Sequence, residues 1–143
     1  MNTLLLHNAT LFDGTGADPR PRTSVLVEDG LIRRVASAEN IGPPSEGRVV
    51  DLDGMTLMPG LTDAHVHLGA VGINGLSGLS PDDNLTTYVI SVIENIELAL
   101  QEGFTTVRDA GGLDPAFARA TEQGLIKGPR ILPSGSHISQ TGG

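Results

Sequence analysis

The sequence predicts an α/β protein in two parts, and three observations carry that reading. Short leucine- and valine-rich runs, broken by two Asp-Gly pairs, fill residues 1–58. From Pro59 onward the texture changes to short apolar strands alternating with helical periodicity. The order strand, helix, strand, helix, strand in residues 59–143 opens a parallel sheet with right-handed crossovers.

The elements follow in order. Leu4 to Ala9 reads as a strand, and a loop rich in Gly, Asp and Pro runs from Asp13 to Pro21. Ser24 to Glu28 and Leu31 to Ala36 flank Asp29-Gly30, a pair favoured in two-residue hairpins because both positions take positive φ. Val49 to Leu52 and Met55 to Met58 flank a second such pair, Asp53-Gly54. These runs predict a small antiparallel β unit that buries little apolar surface by itself. Glycine then recurs at every third position from Gly69 to Gly78. Ser80-Pro81-Asp82-Asp83 predicts a helix start, with serine as N-cap and proline at the first helical position. Leu85, Val89, Val92, Ile93, Ile96, Ala99 and Leu100 form one apolar stripe, read as core, on a helix ending near Gly103. Phe104 to Val107 is a buried strand with Arg108-Asp109 at its C-terminal end. Asp114-Pro115 starts a second helix through Gln123, which Gly124 stops, and Arg130 to Leu132 is a third strand.

The chemistry concentrates in Leu57-Met58-Pro59-Gly60-Leu61-Thr62-Asp63-Ala64-His65-Val66-His67. Strand side chains alternate, so Asp63, His65 and His67 are expected on one face and Ala64 and Val66 on the other. Two imidazoles at i and i+2 can converge on one ion. Zinc is the first choice, although other first-row metals also suit imidazole. Asp63 could orient a ring as an outer acceptor, or simply end a turn. The plainer reading of His65 and His67 is a hydrogen-bonded pair at a strand end. Arg108 and Asp109 sit on the same rim, and strand alternation lets only one of them point inward. Arg108 could touch substrate and Asp109 could support a metal ligand from behind, although such a pair at a loop is more often structural than catalytic. His137 lies in the loop after the third strand, as a substrate contact or a solvated surface group, and His7 reads as structural.

Composition narrows the function. Hydrophobic residues at 38% and charged residues at 18% describe a folded globular chain. A formal charge of −8 with three Phe, one Tyr and no Trp opposes nucleic-acid backbone binding and base stacking. It equally opposes attraction to an anionic membrane. Without cysteine, any metal must be held by histidine and carboxylate. Met1 to Ala9 carries Leu4-Leu5-Leu6 but no basic region, so no signal peptide is expected and the cytoplasm is the default location.

Pro59-Gly60-Leu61-Thr62-Asp63-Ala64-His65-Val66-His67 resembles the first-strand metal motif of the amidohydrolase superfamily of metal-dependent hydrolases. Within it, Gly103-Phe104-Thr105-Thr106-Val107-Arg108-Asp109-Ala110-Gly111-Gly112 and Ser139-Gln140-Thr141-Gly142-Gly143 resemble the imidazolonepropionase-like and Xaa-Pro dipeptidase-like branch. In that branch the second run continues into His-Gly-Asp, beyond residue 143. The resemblance implies that residues 59–143 are the first part of a (β/α)8 barrel, which takes roughly 250 residues to close. It implies that residues 1–58 are part of a β-sandwich completed by C-terminal strands. It also implies a site with two zinc ions, whose further ligands are a carboxylated lysine on strand four, histidines on strands five and six, and an aspartate on strand eight. None of these lies within residues 1–143.

Two functions follow as expectations. The first is the N-terminal portion of a binuclear amidohydrolase that cleaves an amide or peptide-like C–N bond in a dipeptide or N-acyl amino acid. It would be completed by a polypeptide or segment carrying the rest of the barrel, in a homo-oligomer. The second is a non-catalytic truncated fragment with weak metal binding or an assembly role through its open sheet edge.

Overall fold

The structure, a computed structural model, describes residues 2–70, 84–136 and 140–141. The glycine-rich run after Ala70, the Ser80-Pro81 helix start, His137 and the closing Gly142-Gly143 lie outside the described residues. The chain divides into two compact units, Met1–Pro59 and Gly60–Gly143.

The first unit is one sheet. Strands β1 (Thr3–Leu11), β2 (Arg20–Glu28) and β3 (Leu31–Ser37) are antiparallel, and Asp29 and Gly30 turn the β2–β3 hairpin with φ of 49° and 79°. Strands β4 (Arg48–Asp51) and β5 (Thr56–Leu57) pair with the other edge of β1, both parallel to it. The unit is thus mixed, because the chain crosses from β3 to the far side of β1 before it re-enters the sheet. Asp53-Gly54 does make a tight turn, closed by Met55 N–H donating to the Leu52 carbonyl at 2.8 Å. It links two strands that both bond to β1 and not to each other. Leu5, Ala9, Leu11, Val25 and Ile41 are buried. An extra residue in β1 between Leu6 and Ala9 puts Asn8 at φ 56°. Buried Ser24 fills the gap, its Oγ accepting from Asn8 N–H at 3.3 Å and meeting His7 Nδ1 at 3.0 Å. His7 therefore serves the sheet.

The second unit is a parallel three-stranded sheet in the order β6 (Leu61–Val66), β7 (Phe104–Asp109), β8 (Arg130–Pro133). Helices α1 (Leu85–Gln101) and α2 (Pro115–Glu122) form the crossovers. These are the opening strands and helices of an α/β barrel, after a β-sheet region. Helix α1 is capped by Asn84, whose Oδ1 accepts from Thr86 N–H at 2.8 Å, so this helix begins four residues beyond the Ser80 expected from sequence. It ends at Gly103, whose φ of 91° suits a residue without Cβ. Asp114 caps α2 through Ala116 N–H, as its Asp-Pro pair predicts.

Both helices pack on one sheet face. Val92 and Ile96 of α1 meet Val107 and Ile131 of the sheet, with Leu68 and Leu113 from the loops at the strand ends. The buried stripe of α1 is narrower than its sequence suggests: Leu85 is 63% exposed, whereas Ile96 is fully enclosed. Gly128 lies against the Ile96 side chain, where any Cβ would collide. We expect Ile96→Ala to destabilise this unit by about 2–5 kcal/mol through the cavity it leaves. Leu85→Ala should stay within about 0.5 kcal/mol, as exposed substitutions do. Denaturant unfolding of the two variants checks the assignment, and equal losses would place the packing face elsewhere.

Candidate metal centre

The site forms where β6 meets β7, and the pairing there is interrupted. Asp63 registers with Val107 and Val66 with Asp109, so β6 carries one extra residue between these pairs. Such a bulge breaks the two-residue alternation. Asp63 lines a cavity of about 270 Å³ beside α1, together with Val66, His67, Leu98, Glu102 and Phe104. His65 and His67 flank Val66 and keep their shared face. The backbone groups freed by the bulge are taken up by side chains. Asp63 Oδ1 accepts from His65 N–H at 3.0 Å, and Arg108 Nε donates to the Ala64 carbonyl at 2.6 Å.

The two imidazoles meet edge to face, with ring centroids 5.1 Å apart and Nε2 atoms 3.3 Å apart. His67 Nδ1 lies 3.0 Å from the Gly111 carbonyl. A carbonyl only accepts, so Nδ1 carries a proton in this contact, and His67 Nε2 faces His65. Zinc–nitrogen bonds of about 2.0–2.1 Å at a tetrahedral angle put two ligand nitrogens roughly 3.3–3.4 Å apart. The observed separation of 3.3 Å fits that edge. His65 and His67 therefore fit a shared divalent metal through Nε2, provided that His65 holds its own proton on Nδ1. Among the described residues, no group of three His, Cys, Asp or Glu side chains comes together. The pair offers two ligands of the three that a hydrolytic zinc ordinarily takes.

The remaining rim residues divide by face. Arg108 is exposed, one position along from buried Val107 and Asp109, and its guanidinium crosses to the β6 bulge. Asp109 is 0% exposed. Its Oδ2 accepts from Leu68 N–H at 2.7 Å and its Oδ1 from Gly111 N–H at 3.0 Å. Sequence reasoning left two contributors unnamed. Gly111 supplies the carbonyl that holds His67, and Asn95 of α1 donates through Nδ2 to the Leu68 carbonyl at 3.0 Å. Gly111 lay within a quoted motif, but a backbone partner has no side-chain signal. Gly69 permits the close approach of the two loops, since a Cβ there would fall 2.8 Å from the Gly112 carbonyl oxygen.

Comparison with known proteins gives the family. The amidohydrolase family model matches residues 48–123. The chain belongs to the amidohydrolase family. Ochratoxinase of Aspergillus niger is 28% identical over 97% of the chain, which spans 29% of that enzyme. The crystal structure of an amidohydrolase superimposes with a TM-score of 0.86 at 39% identity, covering 99% of this chain and 33% of the other. A prolidase crystallised with N-methylphosphonate-L-proline gives a TM-score of 0.87 at 34% identity, covering 99% of this chain and 34% of the other. The chain thus spans about a third of the length of these relatives.

Tyr88, half-buried beside this loop cluster, offers a test. Burial raises its phenol above the ordinary value of 10.0, and the carboxylates of Asp109 and Asp114 push the same way. Folding favours the protonated phenol, so its contribution to stability is intact below pH 10 and is lost as pH rises through the higher folded value. Tyr88 is the one tyrosine in a chain without tryptophan, so an ultraviolet absorbance titration reads it directly. We expect its midpoint above that of free tyrosine and a fall in stability over the same alkaline range. A midpoint at the free value would contradict the described packing.

Proposed function

We propose that this chain carries the first-strand metal ligands of a metal-dependent amidohydrolase that cleaves an amide or peptide-like C–N bond in a small substrate, a dipeptide or an N-acyl amino acid. The observation that carries the reading is the 3.3 Å separation of the His65 and His67 Nε2 atoms, with the His67 tautomer held by Gly111. The likeness to a prolidase complexed with N-methylphosphonate-L-proline supports the substrate class. Two divalent metals, zinc by preference, would occupy the completed site, with the other ligands and barrel strands supplied by a further segment or a complementing polypeptide. When bound there, the metal supplies Lewis acidity and lowers the pKa of its water towards neutrality.

The chain's own residues do the positioning. His65 and His67 present lone pairs to a common point, and Asp63 and Arg108 fix the β6 backbone that carries them. Arg108, exposed on the other side of β7 from buried Val107 and Asp109, is suited to take a substrate carboxylate through its remaining guanidinium donors. His137 is proposed as a second substrate contact on the strength of its place after β8 alone.

A second reading is a metal-binding piece without catalysis. Metal stoichiometry separates the two. In the completed enzyme, His65→Ala and His67→Ala should each lower amide hydrolysis at least about 100-fold, as expected when several kcal/mol of metal-based stabilisation is lost. The variants should also release metal on dialysis. Retained activity with full metal content would remove both histidines from the site.

A further inference from the structure

Among the described residues, Asp109 is the one charged side chain that is fully buried, and its surroundings do not explain it as packing. Both carboxylate oxygens are spent on backbone amides, Leu68 N–H and Gly111 N–H. Among the described residues it forms no ion pair. Burying an unpaired carboxylate is costly, and an apolar residue of similar volume would fill the same space at less expense. The two amides it selects are informative. Leu68 follows His67 directly, and Gly111 presents its carbonyl to His67 Nδ1 at 3.0 Å. The carboxylate therefore grips the backbone on one side of His67 and the residue that orients its ring on the other. Its own backbone carbonyl also accepts from Ser134 N–H at 3.0 Å, which ties the end of β8 to the same point.

We propose that Asp109 is a positioning residue for the metal ligand His67, acting through Gly111 and Leu68 to fix the tautomer and direction of the imidazole. This rests on the reading of His65 and His67 as metal ligands. Asp109 touches neither metal nor substrate. Partners at this remove from a metal ordinarily change its affinity by roughly 10–100-fold. Asparagine at 109 keeps one acceptor oxygen but turns an amide donor towards a second N–H, so it releases one of the two amides while conserving volume.

The test uses the full-length protein and two readouts that do not depend on turnover. Zinc affinity is measured by competition with a chromophoric chelator, and the His67 tautomer by nitrogen-15 NMR of the metal-free protein. We expect Asp109→Asn to bind zinc roughly 10–100-fold more weakly. Its His67 should shift from the Nδ1–H form towards a mixture, while circular dichroism stays that of the wild type. A folded Asp109→Asn with wild-type zinc affinity and tautomer overturns the proposal. Should that variant fail to fold, Asp109→Ser, which keeps one small acceptor, replaces it. Wild-type protein gives an arm free of any substitution, because finding His67 there in the Nε2–H form also overturns the proposal. His65→Ala and His67→Ala run alongside. If they leave zinc affinity unchanged, the metal reading itself fails, and that outcome is distinct from a failure of Asp109 alone.

Discussion

The candidate site depends on a single extra residue in β6. The bulge frees a carbonyl and an N–H, and each finds a side chain: Arg108 Nε for Ala64, Asp63 Oδ1 for His65. Both contacts lie at exposed positions, so they order the irregular backbone more than they relieve a buried, unpaired group. They also explain why Asp63 and Arg108 stand where they do without either touching an imidazole nitrogen in the described contacts. The residues nearest the histidines in sequence act on the strand, and the strand aims the rings.

Beyond the strand ends, the loops are held by backbone-directed polar contacts more than by apolar burial. Asp109 accepts two amides, Asn95 reaches the Leu68 carbonyl, and Gly112 N–H bonds to the Gly135 carbonyl at 3.1 Å. Leu68 and Leu113 then drop into the core beneath. This is how a loop gains the rigidity of a regular element: each peptide group that would otherwise face water or a void has a fixed partner. An imidazole mounted on such a loop keeps its direction, which a metal site built from only two local ligands requires.

Much of this was legible in the sequence, and the failures are instructive. Asp29-Gly30, Asp114-Pro115, Gly103 and Gly124 mark turns and helix ends by local backbone chemistry, so the hairpin, α2 and both helix stops could be read directly. The helix start was misplaced because Ser80 and Asn84 are both good caps, and a cap signal does not say which of two competing sites the tertiary structure uses. The parallel entry of β4 and β5 was missed because Asp53-Gly54 makes the turn it advertises without making its flanking strands partners. Likewise, the bulge in β6 is a property of pairing between strands more than forty residues apart in sequence, and no periodicity within β6 reveals it.

The division of labour in the site follows from this. What the chain can specify locally is the spacing of two nitrogens: strand positions two apart and a carbonyl to hold one tautomer. Tetrahedral coordination then limits where any third donor can stand relative to that pair. On the proposed reading, the 3.3 Å edge leaves two vertices to be filled, and donors from elsewhere in a barrel set their rotation about it. The converse also holds. Two imidazoles without further donors leave an ion with most of its charge uncompensated and most of its coordination to water, so tight binding and water activation belong to the assembled site and not to the edge that begins it.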